Sequence, residues 1–510
     1  MRPASGLERD AVDMAATDDR MAVATPQEAA RRYHAPKRDH YDVVVIGGGS
    51  AGLPAAGLAA DLGARVALIE REKLGGECLY TGCVPSKALL HVARVAARVR
   101  AAHRYGLSAQ LDPVDLGAVE DYVQRVIAEV YAESDAPEHY ERRGVDVVIG
   151  SPRFVSHSAV SVNGRTISAR GFVICSGSHP AIPPVPGLRE AGFLTNESVF
   201  DLRQLPARLV VLGGGPIGCE LGQAFARLGA HVTIVELLER LISRDEPEAS
   251  ALLRVRLERE GVSVLTGADV AEVAVRDGVK HLIASTPDGP VDVEADAILV
   301  AAGRTPNAID LGLEAAGVRL DAKRGIAVDA ALRTSNPRVY AAGDVIGGHL
   351  FTHAAALEGQ IAVRNILFPG RAKLNERAMP WATFTEPEVA HVGLTEAAAR
   401  GQRGARVRVY TQPMREVDRA VADGEPEGFI KLVSDEKGYL LGATIAGPAA
   451  GELINELALA IRERIRLDRL AATTHVYPTV ALGLQQAAGQ FSIERTNRRA
   501  VVMLLRRLWR

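Results

Sequence analysis

Cysteine is scarce in this sequence of 510 residues, and that scarcity limits the class of protein. Four cysteines in a chain of this length are too few for a secreted scaffold held together by disulfides. The formal net charge is −2, so composition gives no electrostatic basis for binding nucleic acid. Uninterrupted apolar runs of about 18 residues are also missing, which argues against a membrane-spanning helix.

The first 39 residues contain no apolar stretch of the kind found in secretory signals. Their mixture of Ala, Asp, Arg and Pro predicts a disordered leader, and Met14 or Met21 is an alternative natural start. We therefore expect a cytoplasmic location, where thiols without a redox task stay reduced.

Two of the four cysteines lie five positions apart in residues 75–87, GGECLYTGCVPSK, here called the cysteine segment. A helix is predicted over 88–99, and Pro85 is suited to a first helical turn. The partial positive charge at this helix start stabilises a thiolate, so Cys83 should be the more acidic sulfur. A disulfide between Cys78 and Cys83 would close a small loop and stabilise the fold little, which favours a redox couple.

The alternatives for this pair are two inert buried cysteines or half of a metal site. A zinc site needs two ligand pairs at short spacing. The other cysteines, Cys175 and Cys219, are single residues in apolar runs, so no second pair exists. We predict no metal site.

A dinucleotide-binding pattern precedes the cysteine segment. An apolar strand predicted over 41–46 leads into Gly47-Gly48-Gly49-Ser50-Ala51-Gly52, followed by a helix to about Leu62 and a strand that ends at Glu70. Such glycines permit a tight turn and close approach of a pyrophosphate, and the acid accepts hydrogen bonds from ribose hydroxyls.

The same pattern recurs with Gly213, Gly215, Gly218 and, at the end of the next strand, Glu236. Two such units predict two bound dinucleotides. Glu236 should accept a hydrogen bond from a ribose 2′-hydroxyl and repel a 2′-phosphate, which favours NADH. Arg240 and Arg244 lie close in sequence and could accommodate that phosphate, so NADPH is the less favoured alternative.

Together these motifs resemble the class I pyridine nucleotide–disulfide oxidoreductases, which include dihydrolipoamide dehydrogenase, glutathione reductase and mercuric reductase. The resemblance covers about residues 41–495. Further stretches that carry it are 174–178 (ICSGS), 300–304 (VAAGR), 339–344 (VYAAGD) and 384–390 (FTEPEVA).

The resemblance implies an α/β fold with two Rossmann-like dinucleotide-binding domains, for FAD and NAD, and a C-terminal α+β dimerisation domain. The boundaries expected on this basis are a leader at 1–39, the FAD domain at 40–195 and 311–375, the NAD domain at 196–310, the dimerisation domain at 376–495 and a basic tail at 496–510. A homodimer is expected.

The resemblance also implies roles. Cys78 would attack the acceptor, Cys83 would face the flavin as a charge-transfer thiolate, and Lys87 would pair with Glu220 near the reactive flavin edge. Asp344 would bind the ribityl chain of FAD, and Thr352 and His353 would lie near the flavin ring. The other residues expected to contact FAD or NAD(H) are Gly47, Gly49, Ser50, Ala51, Gly52, Glu70, Arg71, Gly76, Gly150, Ser176, Gly177, Gly213, Gly215, Ile217, Gly218, Glu236 and Gly303.

One motif departs from the family. Dihydrolipoamide dehydrogenase and glutathione reductase carry a catalytic His in His-Pro-Thr and a Glu partner, whereas here Tyr477 and Leu482 occupy those positions. An unperturbed tyrosine has a pKa of about 10 and is a poor base near neutral pH. His475 is predicted on the same face as Tyr477, as a substitute base or a structural histidine.

Tyr477 is similar to a tyrosine of mercuric reductase, but no C-terminal cysteine pair follows it. We therefore expect efficient reduction of neither mercuric ion nor thioredoxin. The basic tail at 496–510 has apolar residues at helical spacing. It is expected to pack on the partner subunit or fray, and membrane association is the less favoured alternative.

The leading functional hypothesis is an enzyme that passes electrons from NADH through FAD and the Cys78–Cys83 disulfide to a small disulfide. A second hypothesis is an NADH:quinone reductase or diaphorase in which electrons leave from the flavin, or a mercuric reductase-like enzyme. A third, from another class, is a redox-sensing flavoprotein whose disulfide state controls a partner.

Overall fold

The computed structural model describes residues 31–321 and 325–497. The first domain is organised around a parallel sheet in the order Val145–Ile149, Val66–Glu70, His40–Ile46 and Arg165–Ile174. Its β-branched strands are buried on both faces, as expected for a parallel sheet covered by helices. Val339–Ala341 joins the same sheet beside Arg165–Ile174, which brings the return segment back to the first domain.

Helices cover this sheet and carry the cysteine segment. The helix predicted over 88–99 spans Cys83–Arg100, so it begins at the cysteine itself, with Pro85 in its first turn. A short helix, Gly76–Tyr80, precedes it and carries Cys78. The remaining elements of the first domain are the helices Gly52–Asp61, Leu116–Val130, Pro137–Arg142 and Thr352–Leu367, the π-helix Tyr131–Asp135, the 3₁₀ turns Ala102–Tyr105 and Asp344–Ile346, and the antiparallel strands Arg153–Ser156 and Ala159–Val162.

The second domain repeats the parallel arrangement. Its sheet runs in the order Ser263–Thr266, His231–Glu236, Arg208–Leu212 and Ala297–Val300. The helices Pro216–Leu228 and Pro247–Arg259 belong to it, and a three-stranded antiparallel sheet, Asp269–Arg276, Val279–Thr286 and Gly289–Ala295, completes it. Smaller connecting elements are the helices Leu188–Ala191 and Leu313–Ala316, the 3₁₀ turn Val199–Asp201, and the strand pairs Ser178–Pro180 with Arg304–Pro306 and Leu320–Asp321 with Gly325–Ile326.

The C-terminal domain is α+β. Its antiparallel sheet runs in the order Pro380–Thr383, Glu388–Gly393, Leu440–Gly447, Phe429–Asp435 and Val407–Pro413. Its helices are Glu396–Arg403, Asp418–Ala422, Ala450–Arg462, Leu467–Ala472 and Leu482–Asn497, with 3₁₀ turns at Glu376–Ala378, Gly404–Arg406 and Met414–Glu416. The predicted fold class, two Rossmann-like domains and an α+β domain, is confirmed.

The predicted disordered leader extends too far. Residues 1–30 lie outside the described residues, but 31–39 pack on the first domain through a buried tyrosine. The Tyr33 hydroxyl donates to Glu138 Oε1 at 3.0 Å, and the Lys37 amide donates to Asp146 Oδ2 at 2.6 Å. These anchors were missed because a single tyrosine in a polar stretch gives no periodic signal.

Two expectations concern the basic C-terminal tail and membrane-spanning helices. Nearly all of the predicted basic tail, residues 498–510, lies outside the described part of the chain. Within 31–321 and 325–497, no helix combines the length and apolarity needed to cross a membrane.

Candidate functional site

In each parallel sheet, one strand leads into a glycine turn that packs tightly against the start of the following helix. A Cβ on Gly52 would lie 1.7 Å from the Gly47 oxygen, and one on Gly218 would lie 1.9 Å from the Gly213 oxygen. Only glycine fits such close contact between helix start and turn. A Cβ on Gly215, in contrast, would meet no atom within 4 Å, so the backbone there is open to a ligand.

The two predicted acids close these turns. Glu70 Oε2 accepts a hydrogen bond from the Gly48 amide at 2.7 Å, and Glu236 Oε2 accepts one from the Gly214 amide at 2.5 Å. The two carboxylates therefore occupy equivalent positions beside the helix starts, where phosphate groups bind. The geometry of both turns fits the pyrophosphate of a dinucleotide.

One continuous cleft of about 2470 Å³ joins both turns, the cysteine segment and the edge of the C-terminal domain. All the predicted site residues line it except Gly52, Gly150, Gly218, His475 and Tyr477. Gly52 and Gly218 are inside the turns. Gly150 does not line the cleft, whereas the next residues, Ser151 and Pro152, do, and the contact of Gly150 with a cofactor stays a prediction.

The cysteine segment brings both sulfurs to the cleft as free thiols. Cys78 donates a hydrogen bond to Cys83, and a third group joins them from a distant helix. The Thr352 hydroxyl lies 3.2 Å from the Cys78 sulfur and 3.4 Å from the Cys83 sulfur. Thr352, which is predicted to lie near the flavin ring, therefore contacts both thiols.

The two thiols differ in acidity. The hydrogen bond from Cys78, that of Thr352 and the Lys87 charge together lower the pKa of Cys83 to about 6. The hydrogen bond between the two thiols raises the pKa of Cys78, and burial acts in the same direction. This is the order of acidity that the helix start predicts. Near neutral pH, Cys83 is therefore the thiolate of the pair.

Lys87 and Glu220 form the expected ion pair beside the thiols. Lys87 Nζ donates to Glu220 Oε2 at 2.7 Å, and the Glu220 side chain is only 6% exposed. The other Glu220 oxygen accepts a bond from the Phe384 amide at 2.8 Å, and Lys87 Nζ lies 4.6 Å from the centre of the Phe384 ring. Phe384 thus holds both partners, a role with no signal in the local sequence.

The His475 ring has an oxygen atom close to each of its nitrogens. Its Nδ1 lies 3.0 Å from the Thr473 oxygen and its Nε2 lies 3.2 Å from Glu456 Oε1. Both ring nitrogens therefore lie within hydrogen-bond distance of oxygen atoms of the same subunit. Whether His475 is a substitute base or a structural histidine stays a prediction.

Tyr477 is presented on the surface, with 66% of the residue exposed. Its hydroxyl donates to Asp418 Oδ2 at 3.1 Å, and this bond raises the pKa of the phenol. The shift leaves even less phenolate near neutral pH to act as a base. Val476 beside it is 75% exposed, so this loop presents an apolar and a phenolic side chain outward.

The remaining cysteines are inert. Burial raises the pKa of both Cys175 and Cys219, and Cys219 Sγ donates to the Gly214 oxygen at 3.3 Å. In residues 31–321 and 325–497, no group of three or more His, Cys, Asp or Glu side chains could hold a metal ion.

Some site residues were not predicted. Glu77, Ser178, Asn196 and Arg304 form one hydrogen-bonded network with Asp344 at the cleft. Arg304 belongs to the motif at 300–304, but its partner Glu77 is 227 positions away and nothing in the sequence links the two residues.

Comparisons with known proteins agree with this arrangement. The model of a family described as pyridine nucleotide-disulphide oxidoreductase matches residues 41–359, and that of the dimerisation domain of the same description matches 379–488. A dihydrolipoyl dehydrogenase of Thermus scotoductus is 39% identical over 460 residues, covering 88% of this chain and 96% of that protein. A mercuric reductase of Staphylococcus aureus is 36% identical over 455 residues, covering 88% and 82%.

Solved structures give the same picture. LpdA from Mycobacterium tuberculosis superposes with a TM-score of 0.81 at 28% identity, covering 88% of this chain and 99% of that one. A Cu(II) complex of the HOCl-induced flavoprotein disulfide reductase RclA from Escherichia coli superposes with a TM-score of 0.78 at 26% identity, covering 89% and 100%.

Proposed function

The chain belongs to the pyridine nucleotide-disulphide oxidoreductase family, and on that premise we propose that its electrons leave through Cys78 to a small disulfide. The protein is an FAD- and NAD(P)H-dependent oxidoreductase acting on a sulfur group. FAD, when bound, accepts a hydride from the nicotinamide and passes two electrons to the cysteine pair.

The proposal assigns the cleft as follows. FAD lies on the first glycine turn, with Glu70 and Asp344 as its anchors, and NADH lies on the second, with Glu236 at the ribose. The open backbone at Gly215 and the Glu236 carboxylate, which accepts a hydrogen bond from Gly214 in the same turn, support the assignment of NADH. Glu236 favours NADH because its carboxylate would repel the negatively charged 2′-phosphate of NADPH.

The observation that carries the proposal is geometric: the two thiols line the cleft together and both lie within hydrogen-bond distance of the Thr352 hydroxyl. Cys78, the protonated thiol of the pair, gives up its proton as it attacks one sulfur of the acceptor; a mixed disulfide forms, and the first thiol leaves. Cys83 then attacks Cys78, which restores the Cys78–Cys83 disulfide and releases the second thiol. The acceptor gains two electrons and two protons, one of them the proton that Cys78 gives up and the other from solvent.

We also propose a homodimer, because the chain carries the family's dimerisation domain. In it, the exposed loop with Val476 and Tyr477 faces the cleft of the partner subunit. The apolar surface of this loop supports an interface. Light scattering after gel filtration gives the mass, and a monomer at working concentration would reject this proposal.

A second candidate is reduction of a thiophilic metal ion held by the two thiols. The engaged nitrogens of His475 and the raised pKa of Tyr477 favour it, because a metal dication that gains two electrons needs no proton. The relatives named mercuric reductase and the Cu(II) complex of RclA point to the same class of acceptor.

The deciding experiment follows NADH oxidation with oxidised lipoamide, mercuric ion or a quinone, in parallel for the wild type and Cys78→Ser. Lipoamide turnover that Cys78→Ser abolishes supports the disulfide acceptor. Faster mercuric than lipoamide turnover, also abolished by the variant, supports the metal candidate. Quinone turnover alone, unchanged in Cys78→Ser, contradicts both, since electrons would then leave from the flavin.

A further inference from the structure

Glu77 has no part in the proposed reaction, yet two distant segments hold its carboxylate. Arg304 Nη2 donates to Glu77 Oε2, and Asn196 Nδ2 donates to Glu77 Oε1 at 2.5 Å. The ion pair is sheltered, with side-chain exposures of 27% for Glu77 and 12% for Arg304. Glu77 stands immediately before Cys78 in the helix Gly76–Tyr80, so these bonds fix the backbone that carries the reactive thiol.

Arg304 extends this connection to the residue expected to face FAD. Its Nε donates to Ser178 Oγ at 2.7 Å and to Asp344 Oδ2 at 3.3 Å. The Ser178 hydroxyl also donates to Asp344 Oδ2, at 2.5 Å. The planar guanidinium can serve two carboxylates at once, which an ammonium cannot do with the same geometry.

Asn196 fixes the other side of the cysteine loop. Besides its bond to Glu77, its Nδ2 donates to the oxygen of Thr81, which lies between the two cysteines, at 3.1 Å. Asn196 is buried and sits where the chain passes from the first nucleotide-binding domain to the second. The loop between Cys78 and Cys83 is therefore held from the linker as well as from Arg304.

We propose that Glu77 is a positioning residue whose ion pair with Arg304 keeps the Cys78 segment aligned with Asp344. Without the Glu77 charge, Arg304 pairs with Asp344 alone and occupies the carboxylate oxygens needed for FAD. Loss of Glu77 therefore loosens FAD and weakens the contact between the Cys83 thiolate and the flavin together. The inference rests on the proposed function only for the place of FAD, not for the acceptor.

The test uses the holoenzymes of the wild type, Glu77→Gln, Arg304→Lys and the double variant. Two quantities are measured: FAD released on dilution, by flavin fluorescence, and the thiolate-to-flavin charge-transfer absorbance after anaerobic reduction with NADH. Each single variant should release FAD about tenfold more readily, the scale of one charge-assisted hydrogen bond, and lose most of the absorbance. Both variants break the Glu77–Arg304 pair, and Arg304→Lys also alters the bonds to Ser178 and Asp344, so the double variant should match Arg304→Lys alone and stay well below the product of the two single effects.

Glu190→Gln is the matched control, because Glu190 is an exposed glutamate on the helix Leu188–Ala191, away from the cleft. The proposal is overturned if Glu77→Gln behaves like this control in either readout, or if the effects of the two single variants multiply. Should Glu77→Gln fail to fold, Arg304→Lys carries the same two readouts, since it keeps the charge and loses the fork. Absent disulfide turnover in the wild type would reject the proposed acceptor and leave both readouts interpretable.

Discussion

Lys87 and Glu220 lie 133 positions apart in sequence and form a sheltered ion pair, with Lys87 Nζ 2.7 Å from Glu220 Oε2. The pair joins the helix that begins at Cys83 to the helix of the second glycine turn. The Lys87 charge also contributes to the lowered pKa of Cys83. A single ammonium group therefore stabilises both the Glu220 carboxylate and the Cys83 thiolate.

We predict that Lys87→Met slows reduction of the bound flavin by NADH about a hundredfold, as expected when a preorganised charge is removed from a reacting site. The variant also leaves Glu220 without its counter-ion, so the pKa of Cys83 should rise. Stopped-flow absorbance in the absence of an acceptor measures the rate. A variant with wild-type rate and only a lower melting temperature would make the pair purely structural.

Thr352→Val should raise the pKa of Cys83 by about one unit. The substitution keeps the shape of the side chain and removes the hydroxyl that contacts both sulfurs. A hydrogen bond to a charged group is worth about 1.5–3 kcal/mol, and one pKa unit corresponds to about 1.4 kcal/mol. The pH dependence of alkylation of the reduced enzyme by iodoacetamide gives the midpoint.

Thr352→Ser is the matched control for this prediction, because it retains the hydroxyl and loses only a methyl group. Its alkylation midpoint should remain near that of the wild type. Equal midpoints for the valine and serine variants would contradict a role for the hydroxyl.

The fold class and the central residues of the site could be predicted because their motifs are contiguous in sequence. The glycine turn at Gly47, the acid at Glu70 and the pair Cys78 and Cys83 all lie within residues 47–83, because strand, turn and helix follow directly in the chain. The parallel sheets then follow from the same patterns. The fold class could therefore be predicted from the sequence alone.

Contacts between distant segments were not accessible in the same way. Thr352 lies 269 positions from Cys83, and Arg304 lies 227 positions from Glu77, so only the tertiary fold brings them together. The contact of His475, which lies in a loop, with Glu456 on the helix Ala450–Arg462 likewise depends on the tertiary fold.

Glu120 should make stability depend on pH. The residue is 1% exposed, neither carboxyl oxygen has a hydrogen-bond partner in the described part of the chain, and burial raises the pKa of the carboxyl to about 7. The folded state therefore keeps a proton between about pH 4.5 and 7 that the unfolded state releases, so stability falls as pH rises through this window. The loss should reach about 3 kcal/mol.

Glu120→Gln removes this titration, so its melting temperature relative to wild type should rise between pH 5 and pH 8. Glu129→Gln, an exposed glutamate on the same helix, should show no such trend. A constant difference between Glu120→Gln and wild type across this range would mean that the carboxyl is already ionised in the folded state.

Lys431 holds the C-terminal domain to the second nucleotide-binding domain. Its Nζ lies 2.7 Å from Glu396 Oε2, 2.8 Å from Glu248 Oε1 and 3.2 Å from Glu246 Oε2. The side chains of Lys431 and Glu246 are 5% and 2% exposed. Because removing one member of a buried pair leaves the other charge uncompensated, Lys431→Met should cost about 3–5 kcal/mol.

The loss should be greatest near neutral pH, since the pKa values of Glu248 and Glu396 are lowered by their bonds to Lys431. Their stabilisation is present above the ordinary pKa of a glutamate and is lost as pH falls through the lowered values. Thermal unfolding of Lys431→Met at pH 7 and pH 4, beside the exposed control Lys437→Met, measures both effects. A deficit that does not narrow at pH 4 would mean that packing of the lysine stem, not its charge, joins the two domains.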